Sequence, residues 1–478
     1  MPFKRLHLVL SVTPTAILML SSLGGGTSAA SADTSAKGVL SRIIGEESVS
    51  QGAYAKLAYL TDRIGARLSG SPGAAAAVTW AAQEFRRDGL KVSTEKVMVP
   101  HWVRGEESGS ILSPISRKLV LTALGMSIPT PPEGVQGEII EAGSFDALHT
   151  LGEKVRGKIV LYSVPMKRHP EGDDYGPGAT LRYRGAAEAA KLGAVAALIR
   201  SVGTLAARLP HTGVQAYEDG VEKIPTAALA SEDADLIHRL VASGERVRVK
   251  INLGCRTLPD AESANVIGEL RGRSIPGEFV VIGGHLDSWD LGAGAIDDGA
   301  GVAVSMEALR IIKKLNLRPK RTIRAVLFMN EENGNRGGKA YAADHRHELD
   351  RHVAAIESDG GAGAPQGFGV TAGKGALERV AELALVLQGL ANAQGVKAGG
   401  GGVDIGPMRE VGVPLLSLRQ DMTYYFDYHH TAADTLDKVD RRDLADNAVA
   451  MAYMAWALAN LDPPLARIPE DQRQDPER

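Results

Sequence analysis

Thr322-Ile323-Arg324-Ala325-Val326-Leu327-Phe328-Met329 is a strand-like apolar run, and it closes on Asn330-Glu331-Glu332-Asn333-Gly334. Adjacent side chains on extended backbone point to opposite sides, so two neighbouring carboxylates can divide their work: one holds a metal, the other acts on a substrate. Similar endings recur elsewhere. Glu278 to Gly283 leads into Gly284-His285-Leu286-Asp287-Ser288 and then Ala295-Ile296-Asp297-Asp298-Gly299, while Val353 to Ile356 leads into Glu357-Ser358-Asp359-Gly360. Farther on stands Tyr428-His429-His430-Thr431, followed by Asp434.

From Ser263 onward the rhythm is strand, loop, helix. Strands at 265–270, 278–284, 322–329, 353–358 and 414–418 alternate with helices at about 299–315, 336–348, 374–394 and 440–461. This pattern predicts an α/β fold with a doubly wound, mostly parallel sheet, in which ligands gather at the carboxyl ends of strands. Upstream, helical patterning runs from Ser48 to Asp88 around a Gly-Ser-Pro-Gly break, and Lys91 to Pro100 alternates like a strand. Residues 115–262 read as an inserted unit, with strands at 138–141, 158–162, 194–199 and 247–253 and a helix at 183–192. Its Val155-Arg156-Gly157-Lys158-Ile159-Val160-Leu161 and Gly193-Ala194-Val195-Ala196-Ala197-Leu198-Ile199 segments resemble the protease-associated domain, a small sandwich-like insertion. The expected division is 1–32, 33–114, 115–262, 263–462 and a tail, 463–478, whose alternating charges and prolines predict disorder.

A chain of 478 residues exceeds one ordinary core, and 44% hydrophobic with 23% charged residues is a soluble, globular composition. Lys4 and Arg5 ahead of the apolar stretch Leu8 to Leu23, with Ala30-Ser31-Ala32 after it, predict a secretory signal peptide over 1–32 and a secreted protein, with no membrane attachment after cleavage. Removing that segment takes two basic residues from a net charge of −3, leaving −5 and no basic tract, which argues against nucleic acid as a partner. A single cysteine, Cys255, excludes an internal disulfide and a thiolate metal site. Any metal must use histidine and carboxylate.

Two divalent cations can be built from these residues. Asp297 bridges them, Glu332 and Asp359 each add a carboxylate to one of them, and His285 and His430 each add a nitrogen; Asp298 caps the following helix instead. A shared carboxylate holds two cations roughly 3.5–4 Å apart. Nitrogen and oxygen donors favour zinc, with manganese or cobalt as alternatives. Glu331, left without a metal, can take a proton from water and hand it to a departing amine. Asp287, two residues from His285 on extended backbone, shares its face and is placed to support it. His429 and His430 cannot both be ligands without crowding. Asp404, after Gly399 to Gly402, either contacts a charged substrate group or stabilises its own turn. His345, His347 and His352 read as solvated surface. No Gly-x-Ser-x-Gly elbow offers a serine nucleophile.

In order and spacing, Gly283-Gly284-His285-Leu286-Asp287-Ser288, Asp297-Asp298-Gly299, Asn330-Glu331-Glu332-Asn333-Gly334, Glu357-Ser358-Asp359 and His430 with Asp434 resemble the co-catalytic zinc exopeptidases, a family of secreted bacterial aminopeptidases and glutamate carboxypeptidases. Leu317-Arg318-Pro319-Lys320-Arg321-Thr322 and Tyr425-Phe426-Asp427-Tyr428-His429-His430 place the likeness nearer its carboxypeptidases, over almost all of residues 40–461. The resemblance implies two zinc ions on His285, Asp297, Glu332, Asp359 and His430, Glu331 as general base to a metal-bridging hydroxide, a cis peptide bond between Asp297 and Asp298, and a homodimer. Some relatives carry a tyrosine that stabilises the tetrahedral intermediate where His429 stands, which implies an oxyanion-donor role for His429. Asn330 and Asn333 depart from the alanine and glutamine common there. The expected activity is hydrolysis of dipeptides or short peptides; the alternatives are an aminopeptidase of the same family, a non-catalytic binding homologue and a single-zinc glutaminyl cyclase-type acyltransferase.

Overall fold

The computed structural model describes residues 35–474. The predicted signal peptide, 1–32, lies outside the described residues. Two long strands, Lys91–Val103 and Arg256–Leu270, pair antiparallel with Lys91 opposite Glu269 and Val103 opposite Arg256. Between them the chain builds a separate eight-stranded sheet whose strands run from Glu107–Ser113 to Arg248–Leu253. This second sheet therefore starts before residue 115 and ends before 262. Residues 256–262 belong instead to the main sheet, because the long return strand has already rejoined its partner there.

Across the main sheet the order is Lys91–Val103, Arg256–Leu270, Arg321–Phe328, Ile275–His285, His352–Glu357, Leu415–Gln420, Pro365–Thr371 and Val396–Ala398. The four central strands are parallel. Antiparallel pairs flank them on both sides and the edge pair of Pro365–Thr371 with Val396–Ala398 is parallel again, so the sheet is mixed, with four parallel pairs to three antiparallel. Neighbouring apolar residues of the central strands split between two cores. Val280, Ile282, Ile323, Ala325 and Leu327 pack with Leu57, Met306 and Met451 on one face. Val281, Val326 and Phe328 pack with Tyr341, Met408 and Ile468 on the other. Burial on both faces is what makes these strands read as continuous apolar runs instead of alternating ones.

Helices Ala36–Ser50, Gly52–Tyr59, Ala300–Lys314 and Arg441–Asn460 contribute to the first core, and Arg336–Asp344 to the second. The helix expected over 374–394 is shorter, Ala376–Ala384 with a tight turn Leu385–Leu387 after it; Gly389, at φ 95°, lies beyond that turn. The tail is not disordered as far as it is described. Leu465 and Ile468 are buried, and the Arg467 guanidinium donates to the carbonyls of Leu349 and Val411, anchors that a charge-rich pattern hides. Of the three histidines read as solvated, His347 is exposed and the other two differ. His352 is fully buried, and His345 lies between Glu95 and Glu348, with Nε2 and Nδ1 at 2.9 and 2.7 Å from their carboxylates.

Candidate metal centre

The strand Ile275–His285 ends at the site, and its last residue is held on three sides. The His285 backbone N–H donates to Asp298 Oδ2 at 3.0 Å, and its ring Nδ1 lies 3.0 Å from the Asp287 carbonyl. With Nδ1–H donating to that carbonyl, the Nε2 lone pair points inward, 3.1 Å from Asp297 Oδ1 and 3.5 Å from Asp359 Oδ1. Asp287 thus supports His285 through its backbone and not through its carboxylate, which sits 3.9 Å away. The Asp287 carboxylate faces elsewhere, and its Oδ1 accepts from the backbone N–H groups of Asn330 and Glu331, at 2.7 and 3.1 Å. It therefore shapes the loop carrying the paired glutamates.

Asp297 stands at the centre. Its Oδ1 faces His285; its Oδ2 lies 3.1 Å from His430 Nε2 and 3.4 Å from His429 Nε2. The Asp297-Asp298 peptide bond is cis. Asp298 also accepts from the Gly301 N–H at 2.9 Å, so it does cap the helix start while holding His285. Asp434 fixes the approach to Asp297, accepting from the N–H groups of Ala295 and Ile296 at 2.7 and 2.8 Å and of Asp297 at 3.3 Å.

On the far side, His430 Nε2 is 3.1 Å from Glu332 Oε2, and Glu332 Oε1 accepts from the Trp289 N–H at 3.2 Å. His430 adopts φ 62°, uncommon for a residue with a side chain. It is gripped by the second sheet's part of the chain: its Nδ1 lies 3.3 Å from the Thr212 carbonyl, and the Thr212 N–H donates back to the His430 carbonyl at 2.9 Å. The Trp289 ring meets the His430 ring edge-on at 5.8 Å and fills the space over Gly125, where an added Cβ would collide with it.

These groups fit a cation. With His430 Nδ1–H directed at Thr212, its Nε2 lone pair and the Asp297 oxygen are two acceptors facing each other, and Asp297 Oδ2 is buried with no hydrogen-bond partner. His285, Asp297 and Asp359 present ligand atoms within 4.8 Å of one another, as do Asp297, His429 and His430. Without a cation the charges must settle by proton uptake. Burial opposes protonation of His430, yet Glu332 and Asp297 lift it to about 9. Burial and Asp297 push Glu332 up to about 6. Burial, then Asp359 and Glu332, drive the neighbouring Glu331 well above the usual carboxylate range. Clustered buried acids of this kind, beside two histidines, are the electrostatics of a cation site or of general acid-base work.

His429 stacks on His430 with ring centroids 3.5 Å apart, and its Nδ1 is buried without a partner. Burial and the facing His430 hold it well below the usual imidazole range, hence neutral. Asp404 is buried. Its backbone N–H lies 3.5 Å from Glu357 Oε1, while both of its carboxylate oxygens lack hydrogen-bond partners, so the side chain does not stabilise its own turn.

Two contributors left no sequence signal beyond their place in loops. One is Thr212. The other is Arg67, fully buried, whose guanidinium donates to the carbonyls of Leu286, Ala293 and Gly294 at 2.7, 2.6 and 2.8 Å and so supports the loop between His285 and Asp297.

Known proteins are similar to this chain in sequence and fold. The sequence profile of peptidase family M28 matches residues 265–455. Carboxypeptidase Q of Mus musculus is 40% identical over 416 residues, 87% of this chain and 87% of that protein. The chain belongs to peptidase family M28. It is a metallopeptidase, a hydrolase of the metallo-exopeptidase kind. A peptidase M28 precursor from Shewanella amazonensis superposes with a TM-score of 0.88 at 40% identity, covering 91% of this chain and 99% of that one. A zinc aminopeptidase from Bacillus subtilis shares the fold at TM-score 0.61 and 22% identity, covering 84% and 93%. No helix among the described residues is long and apolar enough to cross a membrane.

Proposed function

We infer that the protein is a secreted, carboxypeptidase Q-like exopeptidase that holds two zinc ions and hydrolyses dipeptides or short peptides. The observation that carries this reading is Asp297, whose two oxygens face two different histidines, each paired with a carboxylate of its own: His285 with Asp359, and His430 with Glu332. Two such ions, when bound, would polarise the scissile carbonyl and lower the pKa of a water between them.

The chain's own residues do the rest. Glu331 belongs to the same loop as Glu332 but makes no ion pair with either histidine, and Asp287 holds its backbone in place. In this reading Glu331 accepts the proton of the attacking water and delivers it to the amine that departs. Neutral His429 donates one ring N–H to the oxygen that gains charge in the tetrahedral intermediate. Asp404, with its unpartnered oxygens, meets a charged group of the substrate. A protease-associated identity for the second sheet and a homodimer belong to the same reading, the latter checked by sedimentation.

The test is chelation followed by zinc restoration. Activity lost and then recovered, with two zinc ions per chain by elemental analysis, supports the reading; activity indifferent to the chelator sinks it. In His429→Ala, unchanged turnover at full metal content would remove the oxyanion role, and loss of one metal would make His429 a ligand.

A further inference from the structure

Six side-chain amides are buried among the described residues: Gln215, Asn265, Asn330, Asn333, Gln420 and Asn447. Five of them are bonded. Asn265 donates to the Gly337 carbonyl, Asn447 to the Gly363 carbonyl and Gln420 to Ser358 Oγ, while Asn330 donates to the Asn333 oxygen. Gln215 is only 1% exposed, and both its Oε1 and its Nε2 lack a hydrogen-bond partner. A buried amide with neither end met is costly unless a bound group meets it.

The space beside Gln215 is a cavity of about 340 Å³, which it lines with Met126, Tyr183, Tyr217, Lys223 and Asn333. Two of its walls continue segments of the candidate metal centre. Asn333 follows Glu332 directly, and Gln215 stands three residues after Thr212, whose carbonyl and N–H grip His430. Backbone bonds fix the Gln215 wall: its N–H donates to the Gly125 carbonyl at 3.1 Å, and the Gly125 N–H donates to the Gly213 carbonyl at 2.9 Å. Across from it, Asn333 Nδ2 meets the Met126 sulfur at 3.9 Å, a weak acceptor. No carboxylate is among the described lining residues. The cation there, Lys223, is exposed, with its Nζ 5.4 Å from the centre of the Tyr217 ring.

Resting on the exopeptidase reading, we propose that this cavity receives the side chain of one of the two residues joined by the scissile bond and selects a carboxamide, so that glutamine- and asparagine-containing dipeptides are the preferred substrates. A carboxamide donates to Gln215 Oε1 and accepts from Gln215 Nε2, and Asn333 Nδ2 is a further donor. A carboxylate would bring no proton for Oε1 and would set its charge beside two neutral amides. An alkyl or thioether side chain would fill the space and leave both ends of Gln215 unmet. Adjacent Cα atoms are about 3.8 Å apart, so Asn333 lies within a side chain's length of a bond held at Glu331 and Glu332.

The experiment compares metal-loaded wild type and Gln215→Met on two sets of dipeptides, each with alanine at one position and glutamine, glutamate or methionine at the other. In one of the two sets wild type should prefer glutamine to both alternatives by roughly 5- to 100-fold in kcat/KM, the range of two neutral hydrogen bonds. Gln215→Met should lose that preference through a raised KM for the glutamine peptide. Equal use of the three side chains in both sets, or a preference for methionine, overturns the proposal. So does a preference for glutamate, which would assign the cavity to Lys223. An equal loss on all three in the variant overturns the role of Gln215. If the variant fails to fold, calorimetric binding of free glutamine against free methionine to metal-loaded wild type gives a second reading: tighter binding of glutamine supports the proposal, and equal binding overturns it. If no dipeptide is hydrolysed at all, the peptidase reading fails, and that binding comparison still decides the cavity.

Discussion

Replacing Arg67 with methionine should cost about 3–5 kcal/mol of folding stability, although residue 67 touches neither metal nor substrate in the proposed reaction. Methionine keeps most of the apolar stem, so the change isolates the guanidinium. Three donor contacts disappear, at 2.6 to 2.8 Å, to the carbonyls of Leu286, Ala293 and Gly294. The Gly294 carbonyl keeps a second partner, the N–H of Gly299 at 3.0 Å. The other two lose a charged donor in a buried setting, about 1.5–3 kcal/mol each, and partial entry of water returns some of that. Against a typical total of roughly 5–15 kcal/mol the variant should remain folded at room temperature with a much lower urea midpoint. Unfolding should be followed in chelator-treated protein, since bound metal would add its own stabilisation. Amide exchange across 286–299 should accelerate more than elsewhere. A loss below about 1 kcal/mol, with unchanged exchange in that loop, would refute the role assigned to the buried guanidinium.

Further outcomes follow from the same geometry. Glu331→Gln should keep both metals and lose turnover by about 10²- to 10⁴-fold, whereas Glu332→Ala should lose metal first; identical failure of the two in elemental analysis and kinetics would contradict the division of labour. Gly125→Ala should drive a methyl into the Trp289 ring, costing about 1–3 kcal/mol in thermal unfolding and lowering activity by displacing the ring that abuts His430. The His345 imidazole is opposed by burial but raised above its ordinary 6.5 by the bond to Glu95. Its contribution is therefore complete below pH 6.5 and fades as pH rises through the raised value, so the stability gap between wild type and His345→Gln should narrow on going alkaline. Urea titrations at several pH values check this, and a gap that widens would reverse the sign.

The parts of the fold that were legible are those where physics acts on residue type. Doubly buried strands must be apolar throughout, which made Glu278 to Gly283 and Thr322 to Met329 readable. Cation binding without thiolates must use histidine and carboxylate at strand ends, which brought His285, Asp297, Glu332, Asp359 and His430 forward together. Arg67 and Thr212 bond to groups more than 200 residues away in the chain, at separations of 219 and 218; nothing local to Arg67 marks those distant carbonyls, and Thr212 uses only the backbone that any loop residue carries. Asp287 shows a finer limit. Spacing placed it beside His285 correctly, but which of its oxygens would turn toward the ring depends on the loop that folds over it. Leu465 and Ile468 escaped notice because two apolar residues among prolines and charges carry no periodicity.

The paired bonds between Thr212 and His430 also set a mechanical condition on the molecule. While both bonds hold, any shift of the second sheet against the main one carries these two residues as one piece. A displacement of Thr212 would therefore shift the imidazole against Asp297, 3.1 Å away. Chimeras that graft a foreign second sheet onto this scaffold inherit that requirement: the donor must present a carbonyl and an N–H from a single residue at the same spot, or the joint will not transmit alignment to the histidine.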